Sequence, residues 1–431
     1  MSLYLYTKEW DAALGTIAGD GADAWEAGRA LFADPAAVGE AIGHYQGGER
    51  QPAFAVKAAD LAGVEERLPL AEGKEHIVVV GNGGSIRNVW ALYEALSTGG
   101  ATRSLHLLDA TDPGGLLGEM ISGNARFTPS NTLVVPVSKS GSTENVVQET
   151  ILLLDKGYVI LPIVGPGRNR LAELVQEKGF DSFPHPDSVS GRFSAAQNNA
   201  FLPLALALGG METVRELCTS FRAANERLAP GVPARENMAK ALALSLWRAE
   251  LGGYTEIFMP IYAKSLSGLG KLIVQLVHES YCKAGKGQTL LFAEAPECQH
   301  HTNQRYFGGR ATMAGLSVRV NSFDVDFDLR DDVSAGRFLD LEHAGVAGEA
   351  GRMKIPHSVL TLDGLGAGDI ASAIALWQWA AVYGGLLRGV NPFDQPAVEG
   401  SKQTTIEMFE GYGPGVREQL DRYTRDASVT L

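Results

Sequence analysis

The most informative stretch of this 431-residue sequence is Thr132-Leu-Val-Val-Pro-Val-Ser-Lys-Ser-Gly-Ser-Thr-Glu144. Its first part is almost continuously apolar, its second part is a turn of serine, threonine and glycine, and a helical pattern follows from about Asn145 to Lys156. An apolar strand, a small-residue turn and a helix form the repeating unit of a parallel sheet. Because the strand is apolar at consecutive positions, we expect helices to cover the sheet on both faces.

The same unit occurs on either side of this stretch. Upstream, His76-Ile-Val-Val-Val80 leads into Gly81-Asn-Gly-Gly-Ser85 and another helical pattern, and Leu105-His-Leu-Leu108 is a further strand candidate. Downstream, Val159-Ile-Leu-Pro-Ile-Val164 runs into a glycine turn. These segments predict one doubly wound domain over residues 71–190.

A second series of strands and helices begins at Glu256-Ile-Phe-Met-Pro-Ile261. It contains a helical pattern from Leu269 to Cys282 and another from about Asp369 to Leu387, with apolar strands between them. We therefore predict a second α/β domain over residues 191–390, and an α/β fold class with two parallel sheets flanked by helices. Residues 1–70 form a helical N-terminal segment in this prediction, and residues 391–431 form a C-terminal arm. Two such domains facing each other would place a ligand between them.

Composition narrows the class of protein. Lys and Arg number 37 against 50 Asp and Glu, which gives a net charge of −13. Broad contact with a nucleic-acid backbone needs clustered basic residues, so we expect no nucleic-acid partner. We expect no apolar run to approach the roughly 20 residues of a membrane span, and the start lacks the basic region and long apolar core of a secretory signal. Three cysteines without disulfide spacing suit a reducing cytosol. We expect a cytoplasmic enzyme that acts on small anionic metabolites.

The turn Ser138-Lys-Ser-Gly-Ser-Thr143 lies where a strand ends and a helix begins. Free backbone N–H groups and the positive end of the helix dipole make such a place an anion site. The hydroxyls of this turn can donate further hydrogen bonds to phosphate oxygens. The alternative, a simple helix cap, accounts for only one or two of those hydroxyls. The pattern therefore favours a phosphate site.

The turn Gly81-Asn-Gly-Gly-Ser85 occupies the equivalent place after an earlier strand. A dinucleotide fingerprint would need a glycine where Ile86 stands, although Asp109 at the end of the next strand could serve as the ribose-binding acid. An NAD enzyme therefore stays open as an alternative. A second phosphate loop, with Ser85 near the same anion, fits the residues better.

Two segments offer groups for acid–base chemistry. Lys271, Gln275 and Glu279 are spaced four apart on a helical pattern and share one face, next to a strongly apolar face. Glu279 is therefore a candidate base, although on spacing alone a solvated helix face is the simpler explanation. Gly191-Arg-Phe-Ser194 precedes a helix and could present the Arg192 guanidinium to an anion.

Metal sites are not indicated. Cys298, His300 and His301 are too close in sequence for all of them to reach one tetrahedral ion easily. The alternating aspartates at 324, 326 and 328 lack the glycine and the closing glutamate of a calcium loop. We predict no metal and no other cofactor.

Taken together, these stretches resemble the glucose-6-phosphate isomerase family in its shorter bacterial or archaeal form. The matching motifs follow the family's order: GNGGS at 81–85, SKSGSTE at 138–144, GRFS at 191–194, HES-x-x-K at 278–283, QH-x-x-x-Q at 299–304 and NPFDQPAVEGSK at 391–402. The resemblance implies two sugar-isomerase (SIS) domains and a homodimer. It also implies interconversion of glucose 6-phosphate and fructose 6-phosphate through a cis-enediol intermediate.

The resemblance further implies a role for each matching residue. Glu279 would be the base that moves a proton between C1 and C2, and Arg192 would stabilise the charge of the enediolate. His300, contributed by the neighbouring subunit, would open the sugar ring with help from Lys402. The remaining matches would bind or position the sugar phosphate: Ser85, Gly84, Ser138, Lys139, Ser140, Thr143, Gln275 and Gln395. Two other functions stay open, a phosphosugar isomerase that also accepts mannose 6-phosphate and a non-catalytic sugar-phosphate sensor.

Overall fold

The structure is a computed structural model that describes residues 3–14, 17, 20–123 and 125–426. The chain divides into two units, Met1–Phe393 and Asp394–Leu431. In the described ranges the strands are β1 (Leu3–Tyr6), β2 (His76–Val80), β3 (Ser104–Leu108), β4 (Thr132–Ser138), β5 (Val159–Ile160), β6 (Ile163–Val164), β7 (Phe183–Pro184), β8 (Glu256–Ile261), β9 (Thr289–Glu294), β10 (Met313–Val320), β11 (Asp328–Arg330), β12 (Val333–Ser334) and β13 (His357–Leu362).

The helices surround these strands. They are α1 (Lys8–Leu14), α2 (Asp20–Ala33), α3 (Pro35–Tyr45), α4 (Ala53–Val56), α5 (Leu61–Glu66), α6 (Gly84–Leu96), α7 (Leu116–Ile121), α8 (Glu144–Asp155), α9 (Arg170–Lys178), α10 (Asn198–Leu208), α11 (Glu212–Leu228), α12 (Met238–Leu251), α13 (Ser267–Tyr281), α14 (Thr302–Gly308), α15 (Ala335–Arg352), α16 (Ala367–Arg388), α17 (Glu399–Glu410) and α18 (Pro414–Arg425). Short 3₁₀ turns include Gly191–Phe193 and Glu297–His300.

The first sheet is parallel throughout and has the order β3-β2-β4-β6-β7, with β5 also paired to β4. Every residue of β4 is buried, as its continuous apolar sequence predicts. The chain leaves β2 for β3 on one side and later returns to β4 on the other side. The carboxyl ends of β2 and β4 therefore flank a point where the strand order reverses, which is where open α/β sheets bind ligands.

The second sheet has the order β1-β13-β10-β8-β9 and is parallel except for β1, which is antiparallel to β13. Strand β1 is not predicted by the sequence analysis, which expects only helices in residues 1–70. Its Leu-Tyr-Leu-Tyr sequence alternates with period two, so that Leu3 and Leu5 are half-buried while Tyr4 and Tyr6 are exposed. The two parallel sheets flanked by helices confirm the predicted α/β fold class.

Helix α16 corrects one expectation about membrane spans. It is 22 residues long with a mean hydropathy of 1.4, so that by length and composition it could cross a membrane. The expectation was wrong because the small and aromatic residues of α16 add up to an apolar helix without forming a run of aliphatic residues. However, 89% of its most apolar window is buried inside the protein, where α16 packs on α11, α12 and α13. A helix that is apolar on all sides suits such a core position.

Helices α6 and α13 join the two sheet-bearing halves of the first unit, because they pack directly on each other. At Gly268 the helices are so close that an added Cβ would lie 3.0 Å from the Cα of Ala91. This contact brings the first turn of α6, which follows β2, towards the carboxyl-terminal half of α13.

The second unit contains α17 and α18. No residue of these two helices is buried.

Candidate active site

The turn after β4 has its hydroxyl groups directed at one another. The hydroxyl of Ser138 accepts a hydrogen bond from the Gly141 N–H at 3.0 Å and lies 3.3 Å from that of Thr143, which is 3.4 Å from that of Ser140. Thr143 is the N-cap residue of α8, yet its side chain makes no capping hydrogen bond. The structure therefore does not support the alternative of a simple helix cap. The N-terminal N–H groups of α8 and these hydroxyls together can accept an anion.

The turn after β2 lies beside the first. Helix α6 begins after Gly83, which has a φ of 58° and no side chain to cap the helix. The Asn82 amide donates a hydrogen bond of 2.6 Å to Asn145 Oδ1 at the start of α8, so the two turns are tied together. Two helix N-termini without side-chain caps therefore converge at the carboxyl edge of the first sheet.

Arg192 and Glu279 meet in the same region. The Arg192 Nη1 atom lies 3.1 Å from Glu279 Oε2, and the side chains are 1% and 24% exposed respectively. Arg192 also donates to Ser280 Oγ at 2.9 Å and to the carbonyl oxygen of Pro392 at 2.6 Å. The guanidinium is thus buried and held from several sides, while the carboxylate keeps contact with solvent.

Gln275 orients the Glu279 carboxylate. Its Nε2 donates to Glu279 Oε1 at 2.7 Å, and an added Cβ on Gly83 would lie 3.1 Å from the same nitrogen. Lys271, the third residue of the predicted helix face, is exposed. The part of α13 that faces the phosphate turns is therefore Gln275 and Glu279, so this end of the helix is not a solvated face.

The turn that carries Arg192 touches the turn after β2 through backbone atoms. A Cβ added to Gly84 would lie 2.1 Å from the Arg192 nitrogen, so only glycine fits at this position. In the turn after β4, the Lys139 ammonium donates to the carbonyl oxygen of Val189 at 3.2 Å, just before the turn that carries Arg192. Burial lowers the pKa of Lys139. Three segments distant in sequence thus converge at one place.

Sequence analysis missed two buried asparagines, Asn88 and Asn199, that join these segments. Asn88 donates to the carbonyl oxygens of Gly84 and Gly191, at 2.6 and 2.7 Å. Asn199 donates to the Ser85 carbonyl oxygen at 2.9 Å and to Ser194 Oγ at 2.8 Å. The signal available in the sequence was weak: asparagines within otherwise apolar helical patterns at the beginnings of α6 and α10.

The predicted roles of three further residues, His300, Gln395 and Lys402, are not tested by the structure. His300 is exposed in the turn Glu297–His300, where its charge opposes the rise in the pKa of Glu342 that burial causes. Gln395 and Lys402 belong to the second unit, in which the Lys402 ammonium pairs with Glu399 at 3.0 Å. Their predicted roles stay predictions.

The structure also bears on the dinucleotide and metal alternatives. Asp109, the acid on which the dinucleotide alternative depends, pairs with Arg87 at 3.3 Å. Within the described ranges, no group of three or more His, Cys, Asp or Glu side chains could hold a metal ion.

Known proteins resemble this chain in sequence. No family model matches it. It is 28% identical over 380 residues to a protein named glucose-6-phosphate isomerase from Rubrobacter xylanophilus, which covers 79% of this chain and 84% of that protein. A probable glucose-6-phosphate isomerase from Haloarcula marismortui is 27% identical over 389 residues and covers 86% of each. The chain is therefore similar in sequence to proteins named glucose-6-phosphate isomerase.

Solved structures share the fold of this chain. A glucose-6-phosphate isomerase from Chlamydia trachomatis superposes with a TM-score of 0.78 at 20% identity, over 94% of this chain and 90% of the other. A hypothetical protein from Thermus thermophilus gives a TM-score of 0.78 at 23% identity, over 95% and 100%. The resemblance stated from the motifs is thus confirmed.

Proposed function

We propose that this phosphosugar isomerase interconverts glucose 6-phosphate and fructose 6-phosphate. The observation that carries the proposal is the ion pair of Glu279 and Arg192, 3.1 Å apart, next to two turns built to receive an anion. A base, a cation and a phosphate site at one place are what an aldose–ketose isomerisation requires.

Phosphate binding comes first in the proposed mechanism. The substrate phosphate accepts hydrogen bonds from the hydroxyls of Ser138, Ser140 and Thr143 and from backbone N–H groups of the turns, including those of Lys139 and Ser85. The hydroxyl contacts of 3.3 and 3.4 Å within the turn after β4 are long, so exchanging them for a charged acceptor is favourable. These contacts hold the far end of the sugar while C1 and C2 react.

Proton transfer follows at the Glu279 carboxylate. Glu279 takes the proton from C2 of the open-chain aldose. The electrons of the C–H bond form the C1–C2 double bond, and the π electrons of the C1 carbonyl move onto its oxygen to give an enediolate. The hydroxyl proton of the C2 oxygen passes to the C1 oxygen, and Glu279 returns the carbon-bound proton to C1. The product has a hydroxymethyl group at C1 and a carbonyl at C2, so C1 is reduced and C2 is oxidised by the same electron pair.

Arg192 stabilises the negative charge that develops on the enediolate oxygens. Because Ser280 and the Pro392 carbonyl also hold the guanidinium, it stays in place when the Glu279 charge is neutralised. A fixed cation needs no reorganisation at the moment of reaction, which is the main advantage of a preorganised site. Gln275 holds carboxylate Oε1 and Arg192 holds Oε2, so the carboxylate is oriented by both while each oxygen keeps a further lone pair for the substrate.

The experiment is turnover of the purified protein with glucose 6-phosphate and with mannose 6-phosphate. We expect production of fructose 6-phosphate from glucose 6-phosphate, and exchange of the C2 proton with solvent deuterium in NMR spectra. Equal or faster turnover of mannose 6-phosphate would favour the broader phosphosugar isomerase. Binding of sugar phosphate without turnover or exchange would indicate the non-catalytic sensor and refute the proposal.

A further inference from the structure

Three fully buried polar side chains lie between the phosphate turn after β2 and the turn that carries Arg192. We name Asn88, Ser194 and Asn199 the asparagine clamp; each is 0% exposed. Ser194 is its centre, because its hydroxyl donates to the Gly191 carbonyl oxygen at 2.7 Å and accepts from the Asn88 and Asn199 amides at 3.3 and 2.8 Å.

The clamp bonds backbone oxygens on both turns. Asn88 reaches Gly84 and Gly191, while Asn199 reaches Ser85. A Cβ added to Gly191 would lie 3.0 Å from the Ser85 nitrogen, so the two turns are in direct backbone contact. The hydrogen bonds of the clamp therefore join two turns whose backbones are in contact.

Folding alone does not explain these residues well. The Oδ1 atoms of Asn88 and Asn199 are buried and have no hydrogen-bond partner in the described part of the chain. Unsatisfied buried acceptors destabilise a protein, which offsets part of what the amide donors contribute. Buried polar groups that persist at a cost can serve to select one geometry.

We propose that the asparagine clamp is a positioning device that fixes the Arg192 guanidinium relative to the phosphate turns. Both asparagines bond backbone carbonyl groups of the turn after β2, those of Gly84 and Ser85, and Asn88 also bonds the carbonyl group of Gly191, which precedes Arg192. This inference rests on the proposed function, since it assumes that Arg192 faces the reacting end of a sugar phosphate held by the turns.

The test measures the affinity of two probes by calorimetry. Inorganic phosphate reports the turns alone, and 6-phosphogluconate adds a C1 carboxylate at the place where the enediolate charge develops. In Asn199→Ala and Ser194→Ala we expect a loss of 6-phosphogluconate affinity of about 10-fold or more, because small displacements of a positioned group are costly. The dissociation constant for inorganic phosphate stays within about 3-fold, because each single substitution leaves the hydroxyls of the other phosphate turn in place. Ser194→Ala removes only one hydroxyl and keeps the measurement possible should Asn199→Ala fail to fold.

Two controls separate positioning from stability. Asn225 is 7% exposed and accepts a hydrogen bond from Trp379 Nε1 at 2.9 Å, so Asn225→Ala lowers Tm but changes neither affinity. In an Arg192→Ala background, Ser194→Ala should cost no further 6-phosphogluconate affinity, because the group that the clamp positions is gone.

The outcomes are distinguishable. Suppose that the wild-type protein binds both probes. The clamp proposal is then wrong, while the proposed function stands, if the clamp variants keep the wild-type ratio of the two affinities. It is also wrong if Ser194→Ala lowers the 6-phosphogluconate affinity by the same factor with and without the Arg192→Ala substitution. If the wild-type protein binds neither probe, the proposed function fails and the clamp inference fails with it. A kcat decrease with unchanged KM for glucose 6-phosphate in Ser194→Ala would support both.

Discussion

Replacing Glu279 by glutamine separates the charge of the proposed base from its shape. The two carboxylate oxygens accept hydrogen bonds from Arg192 at 3.1 Å and from Gln275 at 2.7 Å. A glutamine at position 279 can keep both contacts. Its Oε1 accepts from Arg192, and its Nε2 donates to Gln275 Oε1, which has no described partner, once the Gln275 amide rotates by about 180°. The variant loses the negative charge and the ability to accept a proton, but its side chain fits the same space.

The expected effect on catalysis is large. A positioned general base accelerates proton transfer by roughly 10²–10⁴-fold, which corresponds to about 2.7–5.4 kcal/mol of transition-state free energy. The free energy of unfolding should fall by only about 1–3 kcal/mol, because Glu279 is partly exposed and its hydrogen bonds are retained. We therefore expect kcat to fall by at least about 100-fold and KM to stay within about 3-fold, since the phosphate turns are unchanged.

The assay is reduction of NADP by glucose-6-phosphate dehydrogenase coupled to fructose 6-phosphate conversion, with solvent-proton exchange at C2 measured by NMR. Glu250→Gln is a matched control, because Glu250 pairs with the buried Arg388, whose Nε lies 2.8 Å away, in α12 and α16. It should lower stability and leave kcat unchanged. A folded Glu279→Gln protein with near wild-type kcat and proton exchange would refute the assignment of the base.

Further predictions concern the cation, the phosphate turn, the subunit arrangement and pH. Arg192→Lys should lower kcat by about 100-fold, since one ammonium cannot replace a planar guanidinium bonded to several acceptors; steady-state kinetics will show it. Ser140→Ala should raise KM by about 10-fold with little change in kcat, because it removes one hydrogen bond to a charged phosphate. If His300 is supplied by the partner subunit of a symmetric dimer, mixing inactive Glu279→Gln and His300→Ala chains restores about 25% of wild-type activity, as half the dimers regain one of two sites; no recovery means that it acts within its own chain. Burial lowers the pKa of His357 from 6.5 to about 3, so its contribution to stability is complete above pH 6.5 and is lost as the pH falls towards 3. Urea unfolding should show a loss of about 2 kcal/mol from this histidine at pH 5.

Much of the fold follows from local patterns. The predicted strand at 76–80 matches β2, and that at 132–137 ends one residue before the end of β4. These elements were predictable because a buried parallel strand must be apolar at every position and must end in small residues. The predicted strand 159–164 is divided into β5 and β6, since Pro162 lies between them.

Elements that depend on distant partners were predicted less well. Strand β1 exists because its residues pair with β13 more than 350 positions away, from Leu3 with Leu362 to Tyr6 with Val359. Strand β9 is absent from the prediction because its buried and exposed residues follow no simple period. The local sequence does not indicate which distant strand a segment pairs with.

For the site, the amino-acid sequence by itself determined which chemical groups are available. These are two small-residue turns at helix starts, a glutamate on an apolar helix and an arginine before another helix. These features are local, because backbone N–H groups at a helix N-terminus and the spacing of residues along a helix depend only on neighbouring residues. Only the tertiary structure decided that Arg192 and Glu279, 87 residues apart, lie 3.1 Å from each other. That distance depends on how closely α6 packs on α13 and on the buried asparagines that hold the two turns together, and packing of distant segments is a property of the whole fold.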